Sequence, residues 1–174
     1  MNIFNFIETY KIPKNVCDDL IQYYKKNKEY KNKINLNGKV CTEVTFFNNS
    51  QSKIILTFFK LLSEHIQKYI NKYKIQNNIQ SFFGNNIQYY KPKESFNALH
   101  YERNPQYPKR QLVYMLYLNT IKDNGGTQFP FQKKIVKAIK GNLLIWPADF
   151  THPHLGIVSN TEDKYIVTGW MEMQ

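Results

Sequence analysis

Five short β-rich runs fill the second half of the chain: Ile87–Tyr90, Leu112–Asn119, Ile135–Ile139, Leu143–Trp146 and Tyr165–Met171. Turn-forming stretches separate them: Lys91-Pro92, Asp123-Asn124-Gly125-Gly126, Lys140-Gly141-Asn142 and Ser159–Asp163. Strands this short and this regularly punctuated predict an all-β second part. The first half reads differently. Ile3, Phe4, Phe6 and Ile7 suggest a short opening strand, and Pro13 then opens a helix, where its missing N–H costs nothing. Val16, Cys17, Leu20, Ile21 and Tyr24 recur at helical spacing, and residues 52–73 give a second, longer apolar stripe from Ile55 to Tyr73. Asn-rich residues 31–50 read as a loop around a short strand over 40–47. Helices followed by strands predict an α+β, mainly β fold: two sheets packed face to face, with the N-terminal helices on one outer face.

At 174 residues the chain is long enough for one well-cored domain. No stretch rich in Pro, Gly or Ser divides it, so residues 1–174 are expected to form a single domain, with 1–80 a helical support region and 81–174 the β core. No apolar run is long enough to span a bilayer, and the N-terminus lacks a signal-peptide pattern. Cys17 and Cys41 form no metal or redox spacing. Free thiols in the cytoplasm are the simplest reading, with one disulfide the alternative. The net charge of +11 raises a nucleic-acid partner. Against it, only Arg103 and Arg110 of the 24 basic residues are arginine, the usual reader of guanine edges. Lys, Asn, Ile, Tyr and Phe dominate throughout, as in products of AT-rich genes.

The four histidines narrow the chemistry. His65 lies beside the long helical stripe with no histidine at i+4, so it reads as a boundary residue of a packing helix. His100 and Glu102 are two apart, so on a strand both aim at one point. His152 or His154 could complete the set. Two imidazoles and a carboxylate leave half of a six-coordinate ion open, as in non-haem Fe(II) oxygenases. Two free positions suit a bidentate 2-oxo acid and the third suits dioxygen. Lys164, at the head of an otherwise uncharged β run, could hold the far carboxylate of a 2-oxo diacid.

These landmarks stand in a family's order: Tyr90-Lys91-Pro92, His100-Tyr101-Glu102, Arg110 leading into Tyr114–Asn119, Gly125-Gly126-Thr127-Gln128-Phe129, Gly141–Pro147, His154-Leu155-Gly156, and Lys164 through Trp170. From about residue 83 to 173 the chain resembles the Fe(II)- and 2-oxoglutarate-dependent oxygenases of the prolyl 4-hydroxylase type, and among them the small bacteriophage members. The resemblance implies a double-stranded β-helix (jelly-roll) core. It implies that His100, Glu102 and His154 ligate Fe(II), with His152 the alternative third ligand. Lys164 would pair with 2-oxoglutarate, and Tyr90 and Tyr117 would bond or pack against it. Trp170 would pack near the site, and no catalytic side chain beyond the metal ligands is implied. Tyr89, Tyr90, Phe96 and Tyr101 are candidate pocket walls, each equally a candidate for the core between the sheets. Gly125-Gly126 would turn with positive φ.

The implied reaction couples decarboxylation of 2-oxoglutarate to succinate and CO₂ with hydroxylation of a substrate, using O₂ and allowing ascorbate as a reductant. A peptide or protein is the implied substrate, through its proline residues. A nucleobase, nucleic acid or free amino acid remains the alternative, since Lys91, Lys93, Arg103, Lys109 and Arg110 flank the expected mouth. The rival of another class is an inactive basic nucleic-acid-binding module. The expected location is the cytoplasm, of the host for a phage-encoded chain. Two departures stand out: Glu102 where many relatives carry Asp, and Val113 where some carry a cosubstrate-binding Thr.

Overall fold

Helix α1 (Lys14–Lys26) starts directly after Pro13, and its Val16, Cys17, Leu20 and Tyr24 are buried at the predicted spacing. Helix α2 (Lys53–Tyr73) buries Ile55, Phe58, Leu62, Ile66 and Tyr69 against the same core and ends at Lys74, whose φ of 52° is left-handed. Each large side chain buried there stabilises the fold by roughly 1.5–3 kcal/mol. The computed structural model describes residues 5–76, 78–81 and 84–174. Ile3 and Phe4, half of the expected opening strand, lie outside the described residues.

The strands, in chain order, are β1 (Glu8–Lys11), β2 (Lys31–Leu36), β3 (Lys39–Phe47), β4 (Ile79–Ser81), β5 (Gly84–Tyr90), β6 (Arg110–Tyr117), β7 (Thr127–Phe129), β8 (Lys134–Val136), β9 (Asn142–Pro147), β10 (Leu155–Gly156) and β11 (Lys164–Met173). Eight of them form one sheet in the order β1-β9-β6-β11-β5-β3-β2, with β4 also paired to β11. The other three form a small sheet, β10-β7-β8. Each strand of the large sheet divides its side chains between two faces. From β6, Leu112, Tyr114 and Leu116 join the helices, while Val113, Met115 and Tyr117 join Phe129 and Val136 of the small sheet. This is the expected mainly β, jelly-roll arrangement with helices on one face. The second core, between the sheets, holds the candidate site.

Residues 31–36 differ from expectation. They form β2, which pairs with β3 across Asn37-Gly38, where φ is 51° and 75°. Two consecutive positive φ values fit a tight hairpin turn, for which Asn-Gly is the favoured pair. The strand was illegible because it is a sheet edge of Lys-Asn-Lys-Ile-Asn-Leu, solvated rather than patterned; Leu36 is exposed. Strands β7 and β10, at three and two residues, are too short to carry a periodic signal. The two glycines of 125–126 also serve different ends. Gly125 has φ +66°, as expected, but at Gly126 a Cβ would lie 2.4 Å from the Val136 carbonyl oxygen, so close backbone approach demands glycine there. Cys17 and Cys41 are free and buried in different cores, on opposite faces of the large sheet. Among the described residues no helix is long and apolar enough to cross a membrane.

Candidate metal centre

His100 and Glu102 converge, but not through strand alternation, since neither lies in a strand. The segment is instead stitched to both ends of the β9–β10 connection. His100 and His154 exchange backbone N–H···O bonds of 3.1 and 2.8 Å. The N–H groups of Glu102 and Arg103 both donate to the Ala148 carbonyl, at 3.0 and 2.8 Å. One backbone bridge therefore sets the two imidazoles side by side, with ring centroids 4.4 Å apart.

The ring nitrogens are assigned by their partners. His100 Nδ1 lies 2.8 Å from the Ala98 carbonyl oxygen, and His154 Nδ1 lies 3.1 Å from that of His152. A carbonyl only accepts, so each Nδ1 carries the proton and each Nε2 presents a lone pair. Those two Nε2 atoms lie 3.6 and 3.7 Å from Glu102 Oε1. The three donor atoms all fall within 4.8 Å of one another. Bonds of about 2.1 Å to one ion allow donor separations up to about 4.2 Å, so the carboxylate sits within range of both nitrogens. Imidazoles anchored through Nδ1–H to a carbonyl are the usual arrangement of metal ligands. The donor set fits a divalent transition metal such as Fe(II).

Glu102 Oε2 turns the other way. It accepts from Trp170 Nε1 at 3.0 Å and from Arg110 Nη1 at 3.2 Å. Burial raises the Glu102 carboxyl, but its interactions with His100 and His154 outweigh that and hold it well below the usual carboxylate range. Phe96 stacks on His100, with centroids 3.7 Å apart and planes 14° apart. Trp146 meets His154 edge-on at 5.0 Å.

His152 does not join the cluster. It donates from Nε2 to the Asn5 carbonyl at 2.9 Å and accepts at Nδ1 from Thr151 Oγ1 at 2.9 Å. It fastens the N-terminal segment to the β9–β10 connection. His65 likewise has the expected packing role: Nε2 donates to the Lys11 carbonyl at 3.1 Å and the ring stacks on Tyr10.

A cavity partly open to solvent runs from these donors to Lys164. Lys164 pairs with Tyr90 across β11 and β5 and is 5 % exposed. Its ammonium reaches the Ile157 carbonyl at 3.5 Å and lies 4.8 Å over the Tyr90 ring. Burial pushes it down to about 8. A cation so placed favours an anionic ligand. Tyr90 contributes its ring here, because its hydroxyl donates to Gln88 Oε1 at 2.8 Å. Tyr117 shares a 2.6 Å hydroxyl bond with Thr127, and both line the cavity, as does Trp170. Thr127, to which no sequence pattern gives a role, supplies a hydroxyl to this wall, whereas Val113 is core. Of the candidate walls, Tyr90 and Phe96 line the cavity. Tyr89 instead stacks on Tyr165 on the helix face, and Tyr101 is 45 % exposed. Of the basic residues near the mouth, Arg110 is buried, and Arg103 binds the Arg110 carbonyl and Asp149. Lys91, Lys93 and Lys109 are exposed.

No curated protein sequence matches the chain. Solved structures do. The viral collagen prolyl hydroxylase of Paramecium Bursaria Chlorella virus-1, in its 2OG complex, superposes with a TM-score of 0.80 at 18 % identity, covering 98 % of this chain and 97 % of its own. A Pseudomonas putida prolyl-4-hydroxylase gives 0.77 at 15 % identity, covering 97 % and 93 %. A Trichoplax adhaerens prolyl hydroxylase, in complex with a hypoxia inducible factor oxygen degradation domain peptide fragment, gives 0.78 at 13 % identity, covering 97 % and 84 %. At such identities these likenesses speak to the fold. Residues 85–172, just over half of the chain, match the 2OG-Fe(II) oxygenase superfamily and span the cluster of His100, Glu102 and His154, both tyrosines, Lys164 and Trp170. By that match the chain belongs to the 2OG-Fe(II) oxygenase superfamily, whose members are dioxygenases using Fe(II), 2-oxoglutarate and O₂.

Proposed function

We propose that this dioxygenase hydroxylates peptidyl proline, with His100, Glu102 and His154 holding Fe(II) and Lys164 holding the distal carboxylate of 2-oxoglutarate. The observation that carries the reading is the cavity itself. Two imidazole lone pairs and one carboxylate oxygen converge at one end of it, and a buried ammonium waits at the other. Bound there, Fe(II) and 2-oxoglutarate would let O₂ act as the oxidant, one oxygen atom passing into succinate as 2-oxoglutarate loses CO₂ and the other into a C–H bond of the substrate. The protein's part is orientation and exclusion of water. Glu102 offers one oxygen to the ion. Tyr117 and Thr127 line the same cavity with hydroxyls, and Tyr90 covers the Lys164 ammonium. Three prolyl hydroxylase structures of this shape, one with a peptide bound, support peptidyl proline as the substrate. Two free, buried thiols support a reducing compartment such as the cytoplasm.

The test incubates the protein with Fe(II), 2-oxoglutarate, O₂ and a library of proline-containing peptides. One oxygen gained on proline, matched by succinate, is the expected result. Succinate matched by oxidation of nucleosides or free amino acids, with peptides untouched, would overturn the substrate. No succinate with any of them would overturn the site as well.

A further inference from the structure

The residues behind Glu102 form a clamp of their own. Trp170 Nε1 and Arg110 Nη1 both donate to Oε2, the oxygen that faces away from the histidines. Arg110 Nη1 also reaches the Glu102 carbonyl oxygen, at 3.4 Å. The guanidinium is wedged between two rings, 3.8 Å from the centre of Tyr107 and 3.7 Å from that of Trp170. It is 6 % exposed, so its position is set by packing as well as by charge. Glu102 thus bridges two fixed objects, the histidine pair through Oε1 and the clamp through Oε2. The longer glutamate side chain spans that gap. An aspartate, shorter by one methylene, cannot keep both ends while its backbone is held at Ala148.

We infer that Arg110 and Trp170 are positioning residues that hold Glu102 as a one-oxygen ligand and make this site dependent on glutamate rather than aspartate. The inference rests on the proposed metal site. Neither residue touches the ion; each acts through the carboxylate. Outer partners of metal ligands commonly change affinity by about 10- to 100-fold when removed.

The experiment is a double-mutant cycle read by Mn(II) affinity in the full chain, with no turnover involved. Trp170→Phe keeps an aromatic ring beside the guanidinium and removes the indole N–H; Arg110→Lys keeps the charge and removes the planar fork. In the intact clamp, Glu102→Asp is expected to weaken Mn(II) by about 10- to 100-fold. In the Trp170→Phe or Arg110→Lys background the same change is expected to cost much less, because no clamp then draws the shorter carboxylate away. A merely structural clamp would lower affinity without altering the glutamate–aspartate difference. An equal Glu102→Asp loss in all backgrounds would overturn the inference while leaving the metal site standing. Absence of Mn(II) binding by the unmodified protein would overturn both. If Arg110→Lys does not fold, the Trp170→Phe cycle decides alone.

Discussion

A lysine that is 5 % exposed, with one 3.5 Å hydrogen bond and a ring beneath it, bears a desolvation cost that an anion would relieve. That cost pushes its titration down to about 8, from an ordinary value of about 10.4. The sign follows directly. Below pH 8 the ammonium is charged and can hold a carboxylate; above it, the free protein must first take up a proton to bind one. The affinity for 2-oxoglutarate is therefore expected to fall as pH rises through 8 and beyond, by up to about tenfold per unit. Anaerobic binding titrations between pH 6.5 and 9.5 would measure it. In Lys164→Arg, whose guanidinium stays charged, the same series should be flat across that alkaline range. A flat profile in the unmodified protein would contradict the lowered titration of Lys164, and unchanged 2-oxoglutarate affinity in Lys164→Ala would remove Lys164 from the cosubstrate site. The histidine pair 152 and 154 gives a second residue-scale contrast. His152 bonds Asn5 and Thr151, so His152→Ala should leave metal affinity nearly unchanged and cost about 1 kcal/mol of stability. Metal titration beside thermal melts would check both halves.

Among the elements, the β2–β3 hairpin connects a remote turn to His100 of the candidate site. Gly38 has φ +75°, and a Cβ on it would lie 2.8 Å from Ala98 Cβ. Asn97 N–H donates to the Gly38 carbonyl at 3.1 Å, and the Ala98 carbonyl holds His100 Nδ1. The hairpin thus supports the strap that orients His100. Gly38→Ala is expected to cost about 1–2 kcal/mol through its left-handed backbone. It should also weaken metal binding, by displacing Ala98. A Gly38→Ala protein that loses stability but binds Mn(II) at full affinity would break the link between turn and site. Sequence alone did not show this support, because β2 is a polar edge strand whose pairing rests on one Asn-Gly turn. The helices were legible for the opposite reason: α1 and α2 each bury a full apolar stripe, which a 3.6-residue period reveals.

In the whole molecule, the large sheet separates two tasks. Its helix face is a continuous apolar core that stabilises the fold; its other face, closed by the small sheet, surrounds the candidate site. The pattern of β runs marks the first face well, and the ordered landmarks from Tyr90 to Trp170 run through the residues that gather at the candidate site on the second. What remained hidden depends on distance in space rather than along the chain. His152 and His154 are equivalent on a strand; the His154-Leu155-Gly156 landmark favours His154, and the structure sets His154 beside His100 and Glu102 while His152 bonds Asn5, a partner no local pattern marks. The stacking of Arg110 between Tyr107 and Trp170 joins residues that no local period links. The placement of Thr127 beside Tyr117 depends on a three-residue strand. Net charge says little about the site, since Lys164, which lines the cavity, and Arg110, which sits behind Glu102, are both buried.

The proposed site has His100, Glu102 and His154 holding Fe(II) in the cavity where Lys164 receives 2-oxoglutarate. The most direct measurement is an anaerobic titration of Fe(II) and 2-oxoglutarate together, followed by the visible charge-transfer absorption of their chelate. The band should form in the unmodified protein and in His152→Ala, require both additions, and vanish in His154→Ala. A band that survives His154→Ala, or one lost with His152→Ala in a folded protein, would contradict the assignment.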